Sequence, residues 1–332
     1  MSAHLKNEAA TETGFLGTFR RQVLNSVPSV PSIIDLKGQT AIVTGANGGL
    51  GLESGRQFLQ LGLNHLIISA RSQGKGDAAA DTLRKEFPSA KIDIWLLDME
   101  SASSVRDFAR RCESLDRLDI VVLNAACGKM SFERVGGGKG REATLQVNYL
   151  STMLLTILLV PILKAKRHDS NPGRLTVVGS DAAYMVELPQ TSGSASILDA
   201  HEDEASYEGF PQYCRSKLLL IMGVTKLAET IDREEVIINY VNPGATKGTA
   251  LNREATGISK VVLFIVSRIL GRDVVDAARQ YVYSAVVLGK ESHGSFTDYK
   301  IRPYPTLMYT DDGRQKMDGL WKETLAELGV SL

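Results

Sequence analysis

A doubly wound α/β fold, a parallel sheet with helices on both faces, is the architecture this 332-residue sequence predicts. Three observations carry that expectation. Short apolar runs of strand length alternate with stretches of helical length over the first 241 residues. The first of these runs leads straight into a glycine-rich segment, Gly45-Ala46-Asn47-Gly48-Gly49-Leu50-Gly51. Connections of helix length between strands imply parallel pairing with right-handed crossovers.

Residues 1–36 read as an N-terminal extension and 37–332 as a single domain. Within the extension, 14–25 has the character of a short helix, broken afterwards by Pro28 and Pro31. Residues 39–44 form the first strand and 50–61 the helix that follows the glycine loop. The same alternation gives strand 66–70, helix 77–86, strand 91–97, helix 105–113 and strand 118–123. A long apolar helix over 142–163 leads to strand 174–179, and helix 214–230 leads to strand 236–241.

Composition narrows the function classes. Hydrophobic residues make up 43% and charged residues 23%, which is ordinary for a globular protein. The formal net charge is zero, so there is no electrostatic case for nucleic acid. Cys112, Cys127 and Cys214 are few, odd in number and unpatterned, which points to a reducing, cytoplasmic setting and away from a disulfide framework or metal site. Residues 149–163 are interrupted by Pro161, and 258–270 carry Lys260 and Arg268. Both fall short of the roughly 20 apolar residues of a spanning helix, so no transmembrane segment is expected.

The glycine segment sits between a strand and a helix. Glycines allow a tight turn and let backbone N–H groups approach a pyrophosphate, to which the helix N-terminus adds partial positive charge. The spacing is Gly-x-x-x-Gly-x-Gly rather than the commoner Gly-x-Gly-x-x-Gly. About 170 residues later comes Tyr213-Cys214-Arg215-Ser216-Lys217. Four residues apart on a helix, the phenol and the ammonium share a face. A phenol with a pKa of about 10 is a poor donor at neutral pH, and a neighbouring cation favours the phenolate and pulls that value down. Such a pair can hand a proton to a carbonyl oxygen or take one from an alcohol.

Loop and pair together resemble the short-chain dehydrogenase/reductase family, over about residues 36–300, with a Rossmann-type fold implied. Thr44 to Gly51 is similar to the family's Thr-Gly-x-x-x-Gly-x-Gly loop, which implies cofactor contacts at Gly45, Asn47, Gly49, Leu50 and Gly51. Asp98-Met99 resembles the adenine-contacting element. Asn124-Ala125-Ala126 matches the family's Asn-Asn-Ala-Gly in part, with Leu123 and Ala126 as departures. Asn148, Ser180, Tyr213 and Lys217 fall on the four catalytic positions. Pro243 and Gly244, with Thr246, resemble the motif that borders the nicotinamide. The resemblance implies that Tyr213 exchanges the proton, Lys217 lowers its pKa and holds the ribose, Ser180 fixes the reacting oxygen, and Asn148 anchors a water linking the lysine to solvent.

The second strand ends Ile68-Ser69-Ala70-Arg71, without the acid that grips ribose hydroxyls in NAD-specific sites. Arg71 can instead form bidentate bonds with a 2′-phosphate, so NADP(H) is the expected cofactor. Ser180 and Tyr213 are 33 residues apart, which implies an insert over about 185–210 with an acidic run at 199–204. The insert resembles retinol-dehydrogenase-like and related fungal members. The acidic run either lines the pocket or is a solvated surface. Residues 247–270 take the family's lid position, where Val261, Val262, Phe264, Ile265 and Ile269 offer an apolar face to a fairly large carbonyl or alcohol substrate.

The leading reading is an NADP(H)-dependent oxidoreductase, of the kind fungi use to tailor secondary metabolites. Two others stay open: a retinoid or lipid dehydrogenase touching a membrane through 258–270, and an NADPH-sensing protein without turnover. Retention of both Tyr213 and Lys217 weighs against the last. A homo-oligomer is also open, with Leu154, Leu155, Leu158 and Leu159 available either to an interface or to the core.

Overall fold

The computed structural model describes residues 1–167, 171–189, 196–247 and 271–331. Among the described residues eight strands form one sheet: β1 Thr40–Val43, β2 His65–Ala70, β3 Lys91–Leu96, β4 Ile120–Leu123, β5 Gly173–Val178, β6 Val236–Val241, β7 Phe296–Thr297 and β8 Ile301–Arg302. Their order is β3-β2-β1-β4-β5-β6-β7-β8, parallel except for the final antiparallel pair. The chain runs outward from β1 through β2 to β3, then crosses back to lay β4 on the other side of β1. That reversal is a topological switch point, where a crevice opens at the carboxyl ends of the strands.

Strand side chains alternate between two apolar layers, as a pleat of period two requires. Ile42, Ile67, Val121, Leu175 and Ile238 face one layer; Ala41, Val43, Leu66, Ile68, Ile120 and Val122 face the other. The second layer is closed by α3 (Gly49–Gln60) through Phe58 and Leu59, and by α4 (Gln73–Glu86) through Ala79, Ala80 and Leu83. On the first face lie α5 (Ala102–Cys112), α6 (Ala143–Lys166) and α7 (Gly209–Ala228). These strands and helices fall within a few residues of the sequence expectation.

By length and composition α6 could cross a membrane, but 83% of its most apolar window is buried inside the protein, as in a core helix. Leu154, Leu155 and Leu159 are at most 1% exposed, so they belong to this chain's own core and are not free for a partner copy. A π-helical stretch, Gln146–Ser151, interrupts α6 at Asn148. Such bulges often mark functional sites.

The N-terminal helix expected at 14–25 is α2, Phe15–Leu24, preceded by α1, Lys6–Glu12. The extension is seated on the far edge of the sheet. The Phe296 N–H donates to Ser2 Oγ (3.0 Å), and the Tyr309 hydroxyl donates to the Ser2 carbonyl (2.8 Å). Among the described residues two further long helices follow, α8 (Val274–Val282) and α9 (Asp311–Leu328), the latter capped by Thr310, whose Oγ accepts the Gly313 N–H at 2.9 Å.

Candidate active site

Four strand ends converge at the crevice. β1 leads into the glycine loop, where Gly45 and Gly49 have φ of 62° and 57°, the left-handed region that glycine tolerates best. Gly45 must also lie against Ala125, since a Cβ there would sit 3.0 Å from its Cα. Gly48, the residue before α3, has no side chain to cap the helix, so the first N–H groups of α3 receive no side-chain acceptor. A Cβ added at Gly48 or Gly49 would meet nothing within 4 Å. Orphan donors beside open space at a helix N-terminus are what a pyrophosphate needs, so this loop fits a dinucleotide.

Asn124, at the end of β4, fastens the loop. Its Nδ2 donates to the carbonyls of Thr44 (2.9 Å) and Gly45 (3.2 Å), and its Oδ1 accepts from the Tyr281 hydroxyl (3.2 Å). Thr44 Oγ1 in turn accepts the N–H groups of Asn124 and Ala125. The side chain of Asn124 therefore shapes the cradle, and its polar atoms face protein.

β5 delivers Ser180, whose Oγ accepts the Ala182 N–H at 3.1 Å as the cap of a short 3₁₀ turn, Asp181–Tyr184. Tyr240 of β6 locks this position. Its hydroxyl accepts the Ser180 N–H (2.8 Å) and lies within bonding reach of the carbonyls of Ser180 (3.0 Å) and Lys217 (3.3 Å). The ring occupies the space a side chain at 179 would need: a Cβ there would fall 1.7 Å from Tyr240 Cζ. Gly179 thus lets the ring of the neighbouring strand reach Ser180.

Tyr213 and Lys217 sit one turn apart on α7, which begins at Gly209 with Pro211 in its first turn, where no N–H partner is lost. The Tyr213 phenol interacts with the Ser180 side chain, which draws its pKa down. Lys217 Nζ lies 5.7 Å from the Tyr213 ring centre and donates to the Val178 carbonyl at 3.1 Å. Burial pushes the phenol well above its ordinary value, and the Ser180 side chain opposes it. The sequence expectation of a phenol pulled down by Lys217 is not met here: desolvation of the phenolate is the largest influence, and the downward pull comes from Ser180. Burial also lowers the Lys217 ammonium to about 8.

Asn148 is buried, 1% exposed. Its Oδ1 accepts the Cys127 N–H (2.9 Å), and its Nδ2 donates to the Cys127 carbonyl (2.8 Å) and to Ser216 Oγ (3.0 Å). Both of its groups thus brace α6 against the β4 loop and against the turn holding Lys217. Sequence reasoning missed a second brace. The fully buried Glu142 accepts the N–H groups of Thr144 and Leu145 (2.8 Å each), the Tyr207 hydroxyl (3.1 Å) and Gln212 Nε2 (2.8 Å). It ties the start of α6 and the insert to the residue beside Tyr213.

The remaining expected positions lie around the crevice. Arg71, 74% exposed, is paired with Glu100 at 3.3 Å. The Asp98 carboxylate accepts the Glu100 N–H at 3.0 Å, and Met99 is buried beneath. Beyond β6, Asn242 Oδ1 accepts the N–H groups of Asp181 and Gly244 (3.0 Å each), joining the serine turn to the Pro243-Gly244 turn. Gly244 has φ of 74°, and Thr246 Oγ1 donates to its carbonyl at 3.1 Å. Burial raises the thiol pKa of Cys127 and Cys214 to about 12; Cys214 is buried as expected, while Cys127 is only partly buried.

In the acidic run Asp199, Asp203 and Glu204 are exposed at the surface, while parts of the insert are tied to the rest of the fold. Asp199 pairs with Arg141 and Glu202 with Arg134 (2.5 Å each), while Glu323 of α9 accepts the N–H groups of Ile197 and Leu198 (3.0 Å each). The lid expected at 247–270, with Val261, Val262, Phe264, Ile265 and Ile269, lies outside the described residues apart from Lys247.

Residues 39–196 match the family model for short chain dehydrogenases. The chain is 47% identical over 331 residues to short chain dehydrogenase virL of Hypocrea virens, covering 99% of this chain and 96% of that one. It is 42% identical to short chain dehydrogenase/reductase mfmJ of Annulohypoxylon moriforme, covering 93% and 90%. Among solved structures, it resembles an NADPH-dependent 3-quinuclidinone reductase from Rhodotorula rubra with a TM-score of 0.62 and 20% identity, over 83% of this chain and 97% of that one. The Pseudomonas aeruginosa RhlG/NADP complex gives a TM-score of 0.61 at 21% identity, over 82% and 98%.

Proposed function

The chain belongs to the short-chain dehydrogenase/reductase family of oxidoreductases acting on CH–OH and C=O groups, and from that premise we propose an NADP(H)-dependent enzyme that interconverts a ketone and an alcohol on a fairly large apolar substrate. The observation that carries this reading is the meeting of Ser180, Tyr213 and Lys217 at the strand ends beside the glycine loop. The loop and α3 would hold the pyrophosphate, Asp98 and Met99 the adenine side, Arg71 the 2′-phosphate, and Pro243, Gly244 and Thr246 the nicotinamide side. When bound, NADPH supplies the hydride.

The chain's own residues supply position and a proton. The upward push on Tyr213 keeps its phenol protonated at neutral pH, the form needed to donate to a carbonyl oxygen. Ser180, fixed by Tyr240 beside the phenol, orients that oxygen. Lys217, buried with a pKa near 8, stays mostly charged near pH 7 and stabilises the phenolate left after transfer.

The apolar residues of 261–269 and the insert support a bulky substrate. The fungal relatives support a tailoring step in secondary metabolism. Deuterium transfer from labelled NADPH to the alcohol carbon, followed by mass spectrometry over a panel of carbonyls, tests the reading. Label on the product carbon of a bulky ketone bears it out; label in no product, or only in small hydrophilic ones, overturns it.

A further inference from the structure

We propose that the N-terminal helix α2 forms a third wall of the active site, and that Gln22 is a positioning residue for the turn that borders the nicotinamide. The inference rests on the NADP(H) reading above. The Gln22 side-chain amide bonds the backbone of Ala245 on both sides: the Ala245 N–H donates to Oε1 (3.0 Å), and Nε2 donates to the Ala245 carbonyl (2.9 Å). Ala245 lies between Gly244 and Thr246. The approach is close, since a Cβ on Gly244 would fall 2.5 Å from Gln22 Oε1.

Arg272 makes the clamp rigid. Its guanidinium donates to the carbonyls of Arg21 (2.5 Å) and Asn25 (2.7 Å), at the C-terminal end of α2, where a cation satisfies free carbonyls. Its backbone N–H donates to the same Ala245 carbonyl (2.8 Å), and its carbonyl accepts from the Lys247 N–H (3.0 Å). The helix end, Arg272 and residues 243–247 therefore form one bonded unit. The helix reaches the serine turn as well. Arg21 lies over the Tyr184 ring at 5.4 Å, and its charge draws down the carboxyl of Asp181, which burial pushes up. One helix from the far end of the sequence thus touches both turns that frame the reacting groups. The match to the Hypocrea virens relative spans 99% of this chain, so this segment is shared.

The test uses the full chain. The Kd for NADPH, read by fluorescence titration, is compared among wild type, Gln22→Ala and Thr13→Ala, together with KM and kcat. Thr13 anchors the same extension through Thr306 (3.1 Å), away from the turn. Loss of two hydrogen bonds predicts a Kd and KM for NADPH raised about fivefold or more in Gln22→Ala, with kcat at saturating NADPH within about twofold. Thr13→Ala keeps the wild-type Kd. Wild-type affinity in Gln22→Ala, or equal weakening in Thr13→Ala, overturns the clamp alone. Absence of NADPH binding in the wild type overturns the cofactor reading and the clamp with it.

Discussion

Replacing Lys217 by Met should destroy activity and stabilise the protein. Burial lowers the ammonium from its ordinary 10.5 to about 8. At about 1.4 kcal/mol per pKa unit, keeping it charged near pH 7 costs the fold roughly 3 kcal/mol. Methionine has a similar straight chain and removes that cost, but it also removes the hydrogen bond to the Val178 carbonyl, worth about 1 kcal/mol. The net expectation is a gain of about 2 kcal/mol near pH 7. The gain depends on pH in a defined direction. The unfolded chain holds this proton up to about 10.5 and the folded chain releases it near 8, so between those values the unfolded state binds more protons and wild-type stability rises with pH. The advantage of Lys217→Met must therefore shrink as pH rises from about 8 to about 10. Urea unfolding of both proteins near the two ends of that window measures it. A variant less stable than wild type near neutral pH, or a difference independent of pH, would refute the argument that a buried charge is held there for catalysis.

Three other perturbations follow from the same geometry. Arg71→Ala should weaken NADPH binding about tenfold or more and leave NADH nearly unchanged, as titration with each cofactor would show. Exposed ion pairs are weak, so Glu100→Gln should release Arg71 and tighten NADPH binding by a few-fold; a looser complex would mean the pair does not compete with the phosphate. Gly179→Ala drives a methyl group into the Tyr240 ring, which should cost about 2–4 kcal/mol in unfolding measurements and lower kcat while NADPH affinity holds.

The sheet from β1 to β6 was legible because each strand is an apolar run bounded by helical stretches, and the crevice was legible because its glycines and its Tyr-Lys pair carry chemistry in their spacing. The last three elements of the sheet and its cover were less so. β7 and β8 are two residues each, too short for any alternation to register. Helix α9 is missed although its signals are present: Thr310 as cap, Asp311 and Asp312 in its first turn, and Gly329 at φ 60° past its end. The struts were hidden for a different reason. Tyr240 reaches Ser180 only through the register of β5 and β6, Glu142 meets Gln212 across two helices, and Gln22 meets Ala245 across 223 residues. None of these pairings leaves a local pattern. Spacing names the cation near Tyr213 and is silent on burial, which is the largest influence on the phenol.

The most direct test of the central claim compares NADPH consumption by wild type and Tyr213→Phe over bulky and small carbonyls, with NADPH binding measured alongside. Turnover of bulky carbonyls by the wild type, lost about a hundredfold or more in the variant while NADPH affinity is retained, is the predicted result. Turnover surviving in Tyr213→Phe, or NADPH bound tightly by a wild type that reduces nothing, would contradict it.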